Sequence, residues 1–190
     1  CRQCWRGWEQ AGDVAPWARG AGGADDISGG TGNDDLIYEN LTDFTQSNAV
    51  VDSINGGDGE DRIVIEDTTD WSIAAGDLDG SNIQNVETIT LGDTSEDYGP
   101  ISIVLDDTDV DASGMASLET IDLSSDSSGD SSSATENTVD LSAITDADGD
   151  TTTGGLTVVG SAGDDVRDGT ANDDVLEGGP GNDILSGGLG

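Results

Sequence analysis

Aspartate is the residue with most chemistry to offer in this chain, and it recurs on a nine-residue clock. Aligned on their first glycine, the copies are GAGGADDIS from Gly20, GGTGNDDLI from Gly29, GGDGEDRIV from Gly56, GSAGDDVRD from Gly160, GTANDDVLE from Gly169 and GGPGNDILS from Gly178. The sixth position is acidic throughout: Asp25, Asp34, Asp61, Asp165, Asp174 and Asp183. The eighth is Ile27, Leu36, Ile63, Leu176 or Leu185, with Arg167 as the exception and Val166 one place early. Read in register through the gap before Gly56, Asp43 and Asp52 fall at the sixth position and Ile54 at the eighth. Asp70 and Asp79 extend the series after the glycines have gone.

The pattern has a physical reading. Glycines at the first, second and fourth positions permit φ > 0 and close backbone approach, so the chain turns tightly with carbonyls inward. The sixth-position carboxylate lies beside them, and the eighth residue is a minimal strand with one side chain toward a core. Two such units make one coil of about 18 residues, so stacking brings carboxylates of neighbouring coils together. Carboxylate and carbonyl oxygens in a flexible ring of six or more are what Ca²⁺ prefers. Softer metals want His or Cys, and the repeats contain neither.

The elements that must position these turns are short. DRIVI, VETITL, ISIVL, LETIDL, TVDL and GLTVV are aliphatic clusters bounded by Gly, Asp or Ser, and each predicts a strand. Their order weighs against the disorder that high charge, few aromatics and 29 glycines would otherwise suggest. A net charge of −36, with only 5 basic residues and no histidine, makes the chain self-repelling without cations. It also excludes binding to nucleic acid and to an anionic membrane surface, both of which need Lys and Arg. No apolar run is long enough for membrane insertion.

The nonapeptide resembles the G-G-x-G-x-D-x-U-x repeat of RTX (repeats-in-toxin) proteins. The resemblance implies an all-β fold, a right-handed parallel β-roll or β-helix solenoid with Ca²⁺ between coils. It implies that Asp165 and Asp183 share an ion with the carbonyls of Ser161, Gly163, Gly178 and Pro180. Asp25 with Asp43, Asp34 with Asp52, and Asp43 with Asp61 are the further implied sites, and Asp174 needs a partner beyond Gly190.

This reading divides the chain into an atypical segment 1–19, a repeat block 20–81, solenoid rungs 82–159 and a second repeat block 160–190 that continues past the last residue. In the middle block the strand starts lie close to two nonapeptides apart, so each strand reads as one rung. NVETITL returns as SLETIDL, placing Glu87 and Glu119 at the same rung position. They read as turn caps or solvent-facing acids rather than as a glycosidase pair. SSDSSGDSSS is a polar loop, and DADGD and DLDGS lack the downstream glutamate of an EF-hand. Cys1 and Cys4 are a local disulfide or two free thiols, with no second ligand pair for zinc. Trp5, Trp8 and Trp17 are either a cap over the open end or foreign to the fold.

Zero histidines, no G-x-S-x-G elbow and no P-loop argue against an enzyme. The expected function is an extracellular, calcium-folded structural module of a surface-layer, matrix or adhesin-like protein, similar to large RTX proteins of that kind. Its partners would be calcium ions, further copies in a lattice or fibre, or a cell-surface glycan. The alternatives are the folding and secretion module of an exported enzyme or toxin, or a solenoid that acts on polysaccharide.

Overall fold

The computed structural model describes residues 17–19, 24–44, 52–67, 69–78, 83–92, 100–110, 115–126, 137–145 and 155–190. Strands are numbered in chain order. Seven of them, β1 (Trp17–Arg19), β3 (Asp35–Tyr38), β5 (Arg62–Ile65), β8 (Thr88–Leu91), β10 (Thr120–Asp122), β12 (Thr157–Val159) and β14 (Val175–Glu177), form one sheet in that order. A five-stranded sheet runs β15 (Ile184–Ser186), β13 (Asp165–Asp168), β11 (Asn137–Ala143), β9 (Ile101–Asp106), β6 (Trp71–Ile73). A third holds β2 (Asp26–Thr31), β4 (Ser53–Asp58) and β7 (Ile83–Gln84). The pairings are parallel.

Parallel neighbours need a crossover between them, and in this chain the crossover passes through another sheet. Each strand of the seven-stranded sheet is preceded or followed by one from a shorter sheet, and the chain then returns to pair with the strand it left. The aliphatic clusters DRIVI, VETITL, ISIVL, LETIDL, TVDL and GLTVV all fall on strands, β5 and β8 to β12. The expectation that each strand of the middle block is a rung is corrected: successive strands lie in different sheets, so one pass of the chain uses at least two of them.

Register stacks like on like. Leu36, Ile63, Ile89, Ile121, Val158 and Leu176 are successive partners across the large sheet, and the first five are buried. Ile27, Ile54 and Ile83 form a second column, and Ile73, Ile103, Val139, Arg167 and Leu185 a third. Burying each aliphatic side chain is worth about 1.5–3 kcal/mol. No strand of three to six residues could hide its apolar side alone, so the columns stabilise one another. At the C-terminal end Ile184, Leu185 and Leu189 stay exposed, because β14 and β15 are the last strands of their sheets.

Two one-turn helices interrupt the strands, α1 (Leu41–Phe44) and α2 (Asp107–Val110). Leu41 and Phe44 are buried, and the Phe44 ring packs on Tyr38 with centroids 5.0 Å apart. The Asp67 carboxylate accepts a hydrogen bond from the Leu41 N–H at 3.0 Å, capping α1 from a distant part of the chain. Cys1, Cys4, Trp5, Trp8, the DADGD stretch, Asp79 and most of the serine-rich stretch lie outside the described residues, as does the side chain of Trp17. No helix among the described residues is long and apolar enough to cross a membrane.

Candidate metal centre

The glycines do two different jobs at the turns. Gly57 and Gly179, at the second position of their copies, have φ of 114° and 87°, a conformation that L side chains rarely adopt. Gly29, Gly56 and Gly160, at the first position, are needed for closeness instead. A Cβ on any of them would strike the carbonyl oxygen of the next pass, from Gly56, Asn85 and Gly178 respectively. It would also strike Oδ2 of the copy's own aspartate, Asp34, Asp61 or Asp165. One carbonyl and one carboxylate oxygen therefore converge beside each first glycine. Similarly, a Cβ on Gly179 or Gly181 would meet the carbonyls of Ser161 or Gly163.

The carboxylates are linked from pass to pass, and the step differs between the two blocks. In the C-terminal block the Asp165 N–H donates to Asp183 Oδ1 at 3.1 Å and the Leu156 N–H to Asp174 Oδ1 at 2.8 Å, both between residues 18 apart. In the N-terminal block the Asp25 N–H donates to Asp52 Oδ1 and the Asp34 N–H to Asp61 Oδ1, each at 2.8 Å between residues 27 apart. The pairings Asp25–Asp43, Asp34–Asp52 and Asp43–Asp61 are thus replaced by Asp25–Asp52 and Asp34–Asp61. The reason lies in residues 38–44. Tyr38, Leu41 and Phe44 are buried there and α1 takes up chain, so one pass spans three nonapeptides. Asp43 sits within α1, where its N–H donates to the Asn40 carbonyl, although its negative charge still reaches Asp52 and Tyr38. Asp70 is exposed just before β6.

The buried carboxylates fall into two kinds. Asp34 and Asp61 are 1% and 0% exposed, and both oxygens of Asp34 and Oδ2 of Asp61 lack a hydrogen-bond partner. Burial pushes both carboxyls above the ordinary range. Asp77 Oδ1 likewise lacks a partner, whereas Asp52, Asp165 and the half-buried Asp174 are satisfied by protein. Asp52 accepts from the Tyr38 hydroxyl at 3.0 Å. Asp174 accepts from Thr170 Oγ1 at 2.9 Å and from the Thr170 N–H at 2.7 Å. Asp165 accepts from the Ser161 N–H at 2.8 Å and hydroxyl at 3.0 Å, and pairs with Arg167 Nη2 at 2.9 Å with both side chains fully buried. Its carboxyl is raised by burial, which outweighs the opposing effect of the guanidinium. Arg167 Nη1 also donates to the Asn137 carbonyl. Ser161 and Thr170 stand where other copies have their second glycine, a substitution visible in the sequence. The cation in the aliphatic column was visible too, but not its partner.

Among the described residues no three or more His, Cys, Asp or Glu side chains gather at one point. A cation at these turns would draw on carboxylates one or two at a time and on backbone oxygens. The donor set fits a hard divalent ion at Asp34 and Asp61: buried, orphaned carboxylate oxygens, each beside a carbonyl held in place by a missing Cβ.

A chain of parallel strands stacked on glycine–aspartate turns is a parallel-β repeat protein. Its turns carry the RTX calcium-binding nonapeptide repeat, in four copies at residues 17–39, 51–64 and 159–190. These segments belong to that family, and calcium binding is the property its repeats confer. RTX repeat proteins are generally exported by type I secretion. No curated protein and no solved structure matches the chain.

Proposed function

We propose that the chain is an extracellular structural module folded by calcium. Its parallel passes close into right-handed coils of a β-roll that continues as a solenoid through 82–159. In this reading 20–81 and 160–190 are the calcium-loaded blocks, residues 17–19 join the first of them through β1, and the module serves a surface-layer, matrix or adhesin-like protein without catalysis of its own. The observation that carries the reading is three buried carboxylate oxygens without a hydrogen bond, both of Asp34 and Oδ2 of Asp61. An ionised carboxylate without a partner in a protein interior is costly enough to oppose folding. A divalent ion removes that cost.

The residues to hold it are Asp34 with Asp61, and Asp165 with Asp183 beside the carbonyls of Ser161, Gly163, Gly178 and Pro180. Asp25, Asp52 and Asp174 are further acids of the same turns. When bound, the ion supplies positive charge to the stacked carboxylates. The chain's own residues hold the turns open to it through glycines and lock successive passes through amide-to-carboxylate bonds. Ligand bound only by the native state adds RT ln(1 + [L]/Kd), about 2.7 kcal/mol per site at 100 Kd. A few sites would match the whole stability of an ordinary domain, about 5–15 kcal/mol. Export in a loose state at low calcium and folding outside the cell follow from this linkage.

The β-stack of the middle block, which extends the same sheets beyond the nonapeptides, supports a structural role. The test is a calcium titration of the chelator-treated chain followed by far-UV circular dichroism. A cooperative gain of β signal with calcium, and none with magnesium at equal concentration, is expected. An unchanged spectrum would refute the mechanism.

A further inference from the structure

The nonapeptide match in the N-terminal block stops at residue 64, yet the turn geometry it builds goes one pass further. Sheet register carries Ser28 to Asn55 to Gln84, which places Gly29, Gly56 and Asn85 in one column. The surroundings repeat as well. Beside Gly29 lie the Gly56 carbonyl and Asp34 Oδ2; beside Gly56 lie the Asn85 carbonyl and Asp61 Oδ2. Asn85 has a φ of 52°, the left-handed conformation, and no other non-glycine residue among those described shares it. Its side chain donates to Asn55 Oδ1 at 2.9 Å, which ties the turn to the pass below.

The acid of this turn is a glutamate. The glycine arc from Gly56 to Asp61 is shortened to Asn85–Val86–Glu87, and the longer side chain restores the reach. Glu87 Oε2 accepts from the Asp61 N–H at 2.7 Å, as Asp61 Oδ1 accepts from the Asp34 N–H at 2.8 Å. The Glu87 N–H in turn donates to the Asp61 carbonyl at 3.1 Å. Glu119 does not repeat this bond: it is exposed, and its N–H donates to the Glu87 carbonyl. The second observation is Asp61 Oδ2, fully buried, without a hydrogen-bond partner and set against the Asn85 carbonyl.

We propose that Asp61, the acid of the last N-terminal nonapeptide, shares a divalent-cation site for calcium with Glu87 and the carbonyl of Asn85, both beyond the repeats, closing the acidic column of the N-terminal block. It rests on the reading that the acidic turns bind calcium. Two carboxylates and a carbonyl are hard oxygen donors of the type Ca²⁺ takes, and two negative charges balance the ion.

Calorimetric titration of the full chain with calcium alone tests it, using wild type, Glu87→Gln and Glu119→Gln. The two variants lose the same charge, and glutamine at 87 can still accept from the Asp61 N–H. Glu87→Gln should bind one ion fewer than wild type, Glu119→Gln the same number, and calcium should still raise the melting temperature of both. Glu87→Asp keeps the charge but shortens the reach, and should weaken that one ion roughly tenfold or more. Equal stoichiometry and affinity in Glu87→Gln and Glu119→Gln would overturn the site. No calcium uptake by any of the chains would overturn instead the calcium reading beneath it.

Discussion

Gly30 and Gly57 share a φ of 114°, but only Gly57 is crowded: a Cβ there would meet the carbonyl group of Gly30, while one on Gly30 meets nothing within 4 Å. Gly30→Ala should therefore cost only the conformational strain, about 1–3 kcal/mol. Gly57→Ala should cost more, since backbone would have to move. Melting temperatures of the two variants in calcium check the order. At Arg167 the argument is electrostatic. The guanidinium is wholly buried against Asp165, and removing one partner of a buried pair costs about 3–5 kcal/mol because the other charge stays behind. Arg167→Leu restores the residue type of the repeat's eighth position, yet in chelator it should lower stability by that amount. Calcium should recover part of the loss, because without Arg167 the ion that Asp165 shares with Asp183 is what balances its charge. Denaturant unfolding with and without calcium reads both effects.

At the scale of elements, α1 explains why one pass is long. Phe44 is fully buried against Tyr38, so Phe44→Ala should lose about 3–5 kcal/mol, measured by urea unfolding. The strands themselves were legible because each aliphatic cluster is punctuated by Gly, Asp or Ser, a local signal. How they stack was not. Asp43 falls at the sixth position of a clock that looks unbroken, but no glycine supports a turn there. Tyr38, Leu41 and Phe44 make a hydrophobic excursion that only a tertiary partner reveals. In the sequence Glu87 stands out only as a recurring rung position, which fits a cap or a solvent-facing acid. Its bond to the Asp61 N–H depends on a register that the sequence does not print. In the C-terminal block, where nonapeptides follow back to back, the spacing of 18 between the linked acids Asp165 and Asp183 was readable because nothing interrupts it.

For the whole molecule, 41 acidic residues stand against only 5 basic ones, a net charge of −36. Asp34, Asp61 and Asp165 have carboxyls raised by burial first of all. A raised folded pKa means that the folded state binds protons more readily than the unfolded one. Between the ordinary carboxylate range, about pH 4, and the raised values, stability falls as pH rises. The calcium-free chain should accordingly melt at higher temperature when taken from neutral pH to about pH 5. The calcium-loaded chain should do the opposite, because protons compete with the ion for the same oxygens. Thermal scans across that range, with and without chelator, check the crossing. The central claim, that orphaned acids of stacked turns need a divalent ion for the native state to prevail, meets its most direct test at fixed neutral pH. The melting temperature is followed as free calcium rises from chelated to millimolar. A steady climb whose linkage slope corresponds to several ions taken up on folding is the predicted result; a melting temperature indifferent to calcium would contradict it.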